Sequence, residues 1–232
     1  MILGFSSGTL HRTHDALSPD TFDVFRKLGC NAIEVMFHNA VDVDKFLQIQ
    51  KSDLDGFEYV SLHAPMYMGK EQDAEYRRAL LAIVEKQKEI NFQCVVLHPD
   101  MFETLDMLKE FDLPYAIENM DNRKSRYKNV EDLKQLFAEF DTKFVLDLNH
   151  VYVNDQSMNL TTEFIREFGD RLTEIHLSGF EALHEPLFIT KQTEILDALP
   201  DKSLPIILES GGNPPEYLEK EYGYVKEYLQ NH

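Results

Sequence analysis

The chain has 232 residues, 43% of them hydrophobic and 28% charged, which fits one globular domain and excludes a disordered or fibrous chain. Its formal net charge of −18 repels a phosphate backbone, which weighs against nucleic acid as the partner and towards a small molecule entering a local cleft. The opening MILGFSSGTLHR has no basic leader, and no stretch approaches the ~20 apolar residues of a membrane span, so a cytoplasmic protein without membrane contact is expected.

Along the chain, short apolar runs rich in β-branched residues recur, each followed by a longer amphipathic segment, as in repeated βα units around a parallel sheet. The first run, Ile2 to Ser6, leads into Ser6-Ser7-Gly8-Thr9, which is not a phosphate-binding glycine fingerprint and argues against an open nucleotide-binding sheet. His11, Arg12 and His14 follow and could line a mouth. Ser18-Pro19-Asp20 then starts a helix, with Ser as N-cap and Pro at the first helical position. Ala32 to Phe37, with Glu34 mid-strand, and Tyr59 to His63 are the next strands, and Lys70 to Ile90 reads as a helix.

Cys94 to His98 and Tyr115 to Glu118 are the fourth and fifth strands, and Asn129 caps the helical VEDLKQLFAEF. Phe144 to Asp147, Leu172 to His176 and Ile206 to Glu209 complete the strands, and Pro214 to Leu229 is the last helix. Eight units without a linker predict an α/β fold, a closed (β/α)8 TIM barrel with residues 1–232 as a single domain, slightly shorter than the ~250 residues usual for this barrel. Cys30 and Cys94 have apolar neighbours and are expected to be buried free thiols.

The polar residues of these strands lie at their C-terminal ends, where barrel enzymes place their active sites. VSLHAP ends on His63, VVLHPD on His98 and YAIENM on Glu118; FVLDLNH supplies Asp147 and His150, LTEIHLSG supplies His176 and PIILES supplies Glu209. Seven such groups around one mouth would repel one another or stand desolvated unless cations neutralised them. Imidazole with carboxylate is the ligand mixture for zinc or manganese.

This series of strand ends resembles the xylose isomerase-like TIM-barrel superfamily, AP endonuclease family 2, with a ligand pattern closest to the endonuclease IV family. The resemblance covers nearly the whole chain as strand order. It implies a first ion held by His63, His98 and Glu118, with Glu118 bridging to a second held by Asp147, His176 and Glu209, and His150 directed to a third. The family completes its third site with Asp-x-His after the seventh strand, where this chain has Ala182-Leu183-His184. His184 matches and the aspartate is missing, so two ions are expected and a third lacks a ligand.

The resemblance implies a hydrolase that cleaves a phosphoester with metal-activated hydroxide, Glu118 bridging while Asp147 and Glu209 orient the nucleophile. The sugar isomerases and epimerases of the same superfamily keep a smaller set around one metal, matched here by Glu118, Asp147, His176 and Glu209. Glu118 and Glu209 would then be acid and base on a sugar or sugar phosphate. Those isomerases generally lack the pair matched by His63 and His98, which tilts the expectation to hydrolysis. A non-enzymatic barrel that stores or senses metal or sugar is a third reading, opposed by a ligand set this complete with open coordination.

Asn122 to Lys128 is a basic stretch in an acidic protein, and Arg123, Lys124 and Arg126 are expected to clamp a phosphate or another anion, with a solvated loop whose charges balance nearby acids as the alternative. Tyr67 lies near the place where endonuclease IV-like proteins carry an aromatic for abasic DNA, but one position out of register.

Overall fold

A computed structural model of the chain describes residues 1–211 and 214–231. Its eight strands are β1 (Leu3–Ser6), β2 (Ala32–Met36), β3 (Tyr59–His63), β4 (Cys94–Leu97), β5 (Tyr115–Glu118), β6 (Lys143–Asp147), β7 (Leu172–Leu177) and β8 (Ile206–Leu208). All pair in parallel in sequence order, and the sheet closes where β1 meets β8, with Leu3 opposite Ile206 and Phe5 opposite Leu208. The predicted (β/α)8 TIM barrel is therefore the observed fold. Where β1 crosses β2 the backbones approach so closely that a Cβ at Gly4 would lie 1.7 Å from the Ala32 carbonyl oxygen, a place only glycine fills.

The outer layer is α1 (Pro19–Lys27), α2 (Val43–Phe46), α3 (Asp73–Ile90), α4 (Val130–Glu139), α5 (Leu148–Asn154), α6 (Asn159–Phe168), α7 (Leu187–Thr190), α8 (Thr193–Asp197) and α9 (Pro215–Asn231). The two predicted N-caps form: Ser18 accepts from the Asp20 amide at α1, and Asn129 from the Asp132 amide at α4. The expectation of a long amphipathic segment after every strand fails after β4. Residues 98–114 hold only two 3-10 turns, Pro99–Met101 and Leu108–Glu110, and bury Phe102 and Leu108 against the core without a helix. None of the described helices is long and apolar enough to cross a membrane.

The period-2 alternation of each strand decides what enters the lumen. Ala32, Tyr59, Cys94, Val96, Ala116, Val145 and Ile207 form an apolar plug, separate from the larger core between sheet and helices. Two residues further along the same faces come Glu34, Ser61, His98, Glu118, Asp147 and Glu209. The plug thus becomes a polar layer at the strand C-termini. Cys30 and Cys94 are both free and buried, as expected.

Candidate metal centre

His63 is the last residue of β3, His98 follows β4, Glu118 ends β5, Asp147 ends β6, His176 is the fifth residue of β7 and Glu209 follows β8. The turn out of β6 is fixed by Asp147 itself, whose Oδ1 accepts the His150 amide at 2.7 Å and so caps α5. Asn119, next to Glu118, clamps the same turn by donating to the Asp147 carbonyl oxygen at 3.0 Å and accepting the Asp147 amide at 2.8 Å. These bonds fasten the end of β5 to the end of β6.

The side chains converge in two groups that share one residue: His63, His98 and Glu118 form the first, and Glu118, Asp147, His176 and Glu209 the second. In the first, the Nε2 atoms of His63 and His98 approach to 3.2 Å, and His98 Nε2 lies 3.1 Å from Glu118 Oε2. In the second, His176 Nδ1 lies 3.3 Å from Glu209 Oε2 and 3.7 Å from Glu118 Oε2. Two ligands of one tetrahedral zinc, each at about 2.0–2.1 Å, stand about 3.3 Å apart. Asp147 Oδ2 and His176 Nδ1 are buried with no hydrogen-bond partner, as lone pairs aimed at a cation would be. The donor set and its spacing therefore fit divalent metal, with Glu118 common to both groups.

The buried groups set one another's proton affinities. Burial works to raise the Glu118 carboxyl, but His98, with His150 and His176, outweighs it and holds Glu118 well below the usual carboxylate range. Glu209 is likewise brought down to about 2, burial being overcome by His176. Asp147 goes the other way, pushed up to about 7 by burial beside Glu118 and Glu209. Burial opposes charge on His150 and His176, yet Asp147 and Glu118 push His150 up to about 10, while Glu209 and Glu34 hold His176 well above the usual range.

A cavity of about 620 Å³ opens over the centre. Seven of the nine histidines line it: His11, His14, His38, His63, His98, His150 and His184. None of its described lining residues is a lysine or arginine. A larger groove of about 890 Å³ on the barrel flank, between residues 108–115 and 140–143, contains neither ligand group.

His150 and His184 belong to neither ligand group, although both reach the cavity. His150 Nδ1 donates to the Asn119 carbonyl oxygen at 2.8 Å and lies 3.1 Å from Glu118 Oε1. His184 faces the His150 ring at a centroid distance of 5.4 Å, shares a 2.9 Å hydrogen bond with Ser178, and is pushed down to about 4 by burial, with His150 adding to the effect. Arg123, Lys124 and Arg126 do not line the cavity. Arg123 is paired with Asp121, Lys124 Nζ with Asp100 at 2.7 Å, and Arg126 lies over the Tyr127 ring at 4.6 Å. Tyr67 is buried, donating to Asp73 at 2.5 Å and stacked on Phe102.

Sequence reasoning missed Glu174, His38 and Asp121. Glu174 is two residues before His176 on the same strand face, and His38 two residues beyond the inward-facing end of β2, so strict alternation carried past each strand would have found both. Asp121 follows Glu118 in a turn and approaches His150 Nε2 at 3.9 Å, a contact with no periodic signal.

No protein-family model matches the sequence, and no curated protein matches it. Solved structures do. Endonuclease IV from Thermus thermophilus superposes with a TM-score of 0.70 at 15% identity, covering 100% of both chains. A xylose isomerase domain containing protein from Salmonella typhimurium gives 0.65 at 15% identity, covering 99% of this chain and 97% of its own. The 3-keto-D-glucoside 4-epimerase from E. coli gives 0.62 at 11% identity, covering 98% and 99%. Fold and site together define a TIM barrel with a cluster of histidines and carboxylates at its C-terminal mouth. Its particular fold is the one shared by endonuclease IV and the xylose isomerase-like barrels.

Proposed function

We propose that the protein is a divalent-metal-dependent hydrolase of the xylose isomerase-like superfamily, acting on a phosphoester of a small molecule. The observation that carries this reading is the sharing of Glu118 between two ligand groups, which would let the site hold two ions. Zinc or manganese suits the donors, and ions bound there would supply Lewis-acid polarisation of a phosphoryl oxygen and a nucleophile at neutral pH.

The protein's own part is positioning. Glu118 spans both groups from the end of β5, its Oε2 lying 3.1 Å from His98 Nε2 and 3.7 Å from His176 Nδ1, and its low proton affinity keeps it ionised. Asp147 has one oxygen tied to the His150 amide, which leaves the other in fixed orientation to hold a ligand or a proton. Glu209 is held ionised by His176. His11, His14 and His38 line the part of the cavity outside the ligand groups, where they can bind polar groups of the substrate. The cavity takes a small molecule, and the charge of −18 continues to disfavour nucleic acid.

A second reading, a sugar isomerase or epimerase using Glu118 and Glu209 as acid and base on one metal, draws support from the described cavity lining. Without lysine or arginine there, a neutral polyol is met as readily as a phosphate. Elemental analysis after dialysis against metal-free buffer, followed by assay on a chromogenic phosphodiester and on free sugars, separates the two. Two ions per chain with phosphodiester cleavage is the expected result. One ion with sugar turnover would replace the hydrolase by the isomerase, and no retained metal would defeat both.

A further inference from the structure

The barrel treats the two ring nitrogens of His176 differently. Nδ1 faces Glu209 and Glu118 in the centre and has no hydrogen-bond partner. Nε2 faces down the lumen, 2.7 Å from Glu174 Oε1 and 3.4 Å from Glu34 Oε2. Glu34, Glu174 and His176 are completely buried, in the lumen beside Tyr59 and Cys94. A carboxylate in such a place costs several kcal/mol unless a donor answers it. For Glu174 Oε1 that donor is His176 Nε2–H.

Glu34, Glu174 and His176 also have the composition of a small cation site. The spacing argues otherwise. At 2.7 Å, Nε2 and Glu174 Oε1 stand at hydrogen-bond length, closer than the about 3.3 Å between two ligands of one tetrahedral ion, whereas His63 Nε2–His98 Nε2 at 3.2 Å and His176 Nδ1–Glu209 Oε2 at 3.3 Å match that longer separation.

We infer that Glu174 is a positioning residue for the proposed metal centre, its carboxylate accepting His176 Nε2–H and thereby turning Nδ1 towards Glu118 and Glu209. This rests on the metal reading above. A ligating histidine gains basicity and a fixed ring when its other nitrogen donates to a carboxylate, and loss of such a partner lowers metal affinity by roughly 10–100-fold.

The test uses whole protein labelled with ¹⁵N-histidine, observed with and without titrated zinc, together with zinc affinities from chelator competition. Wild type should show a downfield, slowly exchanging His176 Nε2–H in both states. In Glu174→Gln that proton should move upfield, and one of two zinc ions should bind roughly 10–100-fold more weakly. An unmoved proton with unchanged affinity would overturn the inference. Glu34→Gln keeps the Glu174 bond and should leave the proton in place, so it serves if Glu174→Gln does not fold. Loss of the signal in Glu34→Gln would transfer the role to Glu34. Absence of the signal from zinc-loaded wild type, with a further ion lost in Glu34→Gln, would place a cation in the lumen. If wild type binds no zinc, the hydrolase reading fails, while the metal-free spectrum still decides whether Glu174 holds the ring.

Discussion

Two polar regions at the mouth of the barrel differ in how their charges are answered. In the loop after β5, Arg123 lies on Asp121, Lys124 on Asp100, Arg126 over Tyr127, and Lys128 donates to the Lys124 carbonyl oxygen at 3.2 Å. In the centre beside it, Asp147 Oδ2 and His176 Nδ1 are buried without a hydrogen bond, and imidazole nitrogens crowd to 3.2 Å. A loop whose cations are paired within the protein is explained by folding alone. Clustered buried polar atoms without partners are not, since each costs about 1–3 kcal/mol while unmet. That difference, rather than charge density, marks the site.

The sharpest way to break the contrast is to remove the group both ligand sets share. Glu118→Gln should reduce metal content from two ions to one or none and lower phosphodiester cleavage by at least about 10³-fold, equivalent to about 4 kcal/mol of barrier. Elemental analysis and steady-state rates check it, and an active two-ion variant would end the proposal. His98→Ala comes next. It leaves the first ion only His63 and Glu118, below the usual three protein ligands, so one ion should remain and cleavage should fall by on the order of 10²-fold. An isomerase built on the second group alone would keep its ion and most of its turnover.

Much of the contrast was legible before the fold was seen. The strand ends at His63, Glu118 and Asp147 match residue for residue, because an apolar run stopping on one polar group is where a barrel strand leaves the ladder. His98 and Glu209, expected as the last strand residues, stand one position beyond, where the chain turns into the mouth. The missing helix between β4 and β5 was not foreseen, since apolar residues such as Phe102 and Leu108 pack as well from irregular turns as from a helix. Balance of the basic loop by nearby acids was one of its two readings, but the partners were not legible. Asp100 and Asp121 answer Lys124 and Arg123 across separations that only the fold defines, and one sequence holds no sign of that match. Glu174 shows the reverse error, in which alternation was available and was not followed inward.

A buried carboxylate outside the centre offers a control of smaller size. Glu221 on α9 accepts the Leu187 and Phe188 amides at 2.9 Å each, and burial still raises it to about 7 from the usual 4.5. The native state thus holds this proton more tightly than the unfolded chain, so its contribution is fully present below about pH 4.5, declines as pH rises and is gone above about 7. Measured by urea unfolding, wild type should lose on the order of 2–3 kcal/mol relative to Glu221→Gln across that window and nothing further above it. A flat difference would mean that the α7 amides, not burial, control this group.

The smallest effect tests the satisfied loop. The Arg126 guanidinium stacks on Tyr127 and is not among the groups lining the cavity, so Arg126→Ala should cost about 0.5–1 kcal/mol of stability and leave KM for a phosphorylated substrate unchanged. Arg123→Ala is the harder case, because it strips the ion pair from Asp121, which is 2% exposed and 3.9 Å from His150 Nε2. An unpaired buried carboxylate there should act on the centre through His150, lowering turnover for phosphorylated and neutral substrates alike. A phosphate clamp predicts the opposite pattern, with KM raised by about tenfold or more for the phosphorylated substrate only and turnover kept, since a lost charge-assisted hydrogen bond of about 1.5–3 kcal/mol would be felt only by the anion. The two patterns are separable in one experiment on paired substrates, and only the second would move the basic loop from the scaffold into the binding site.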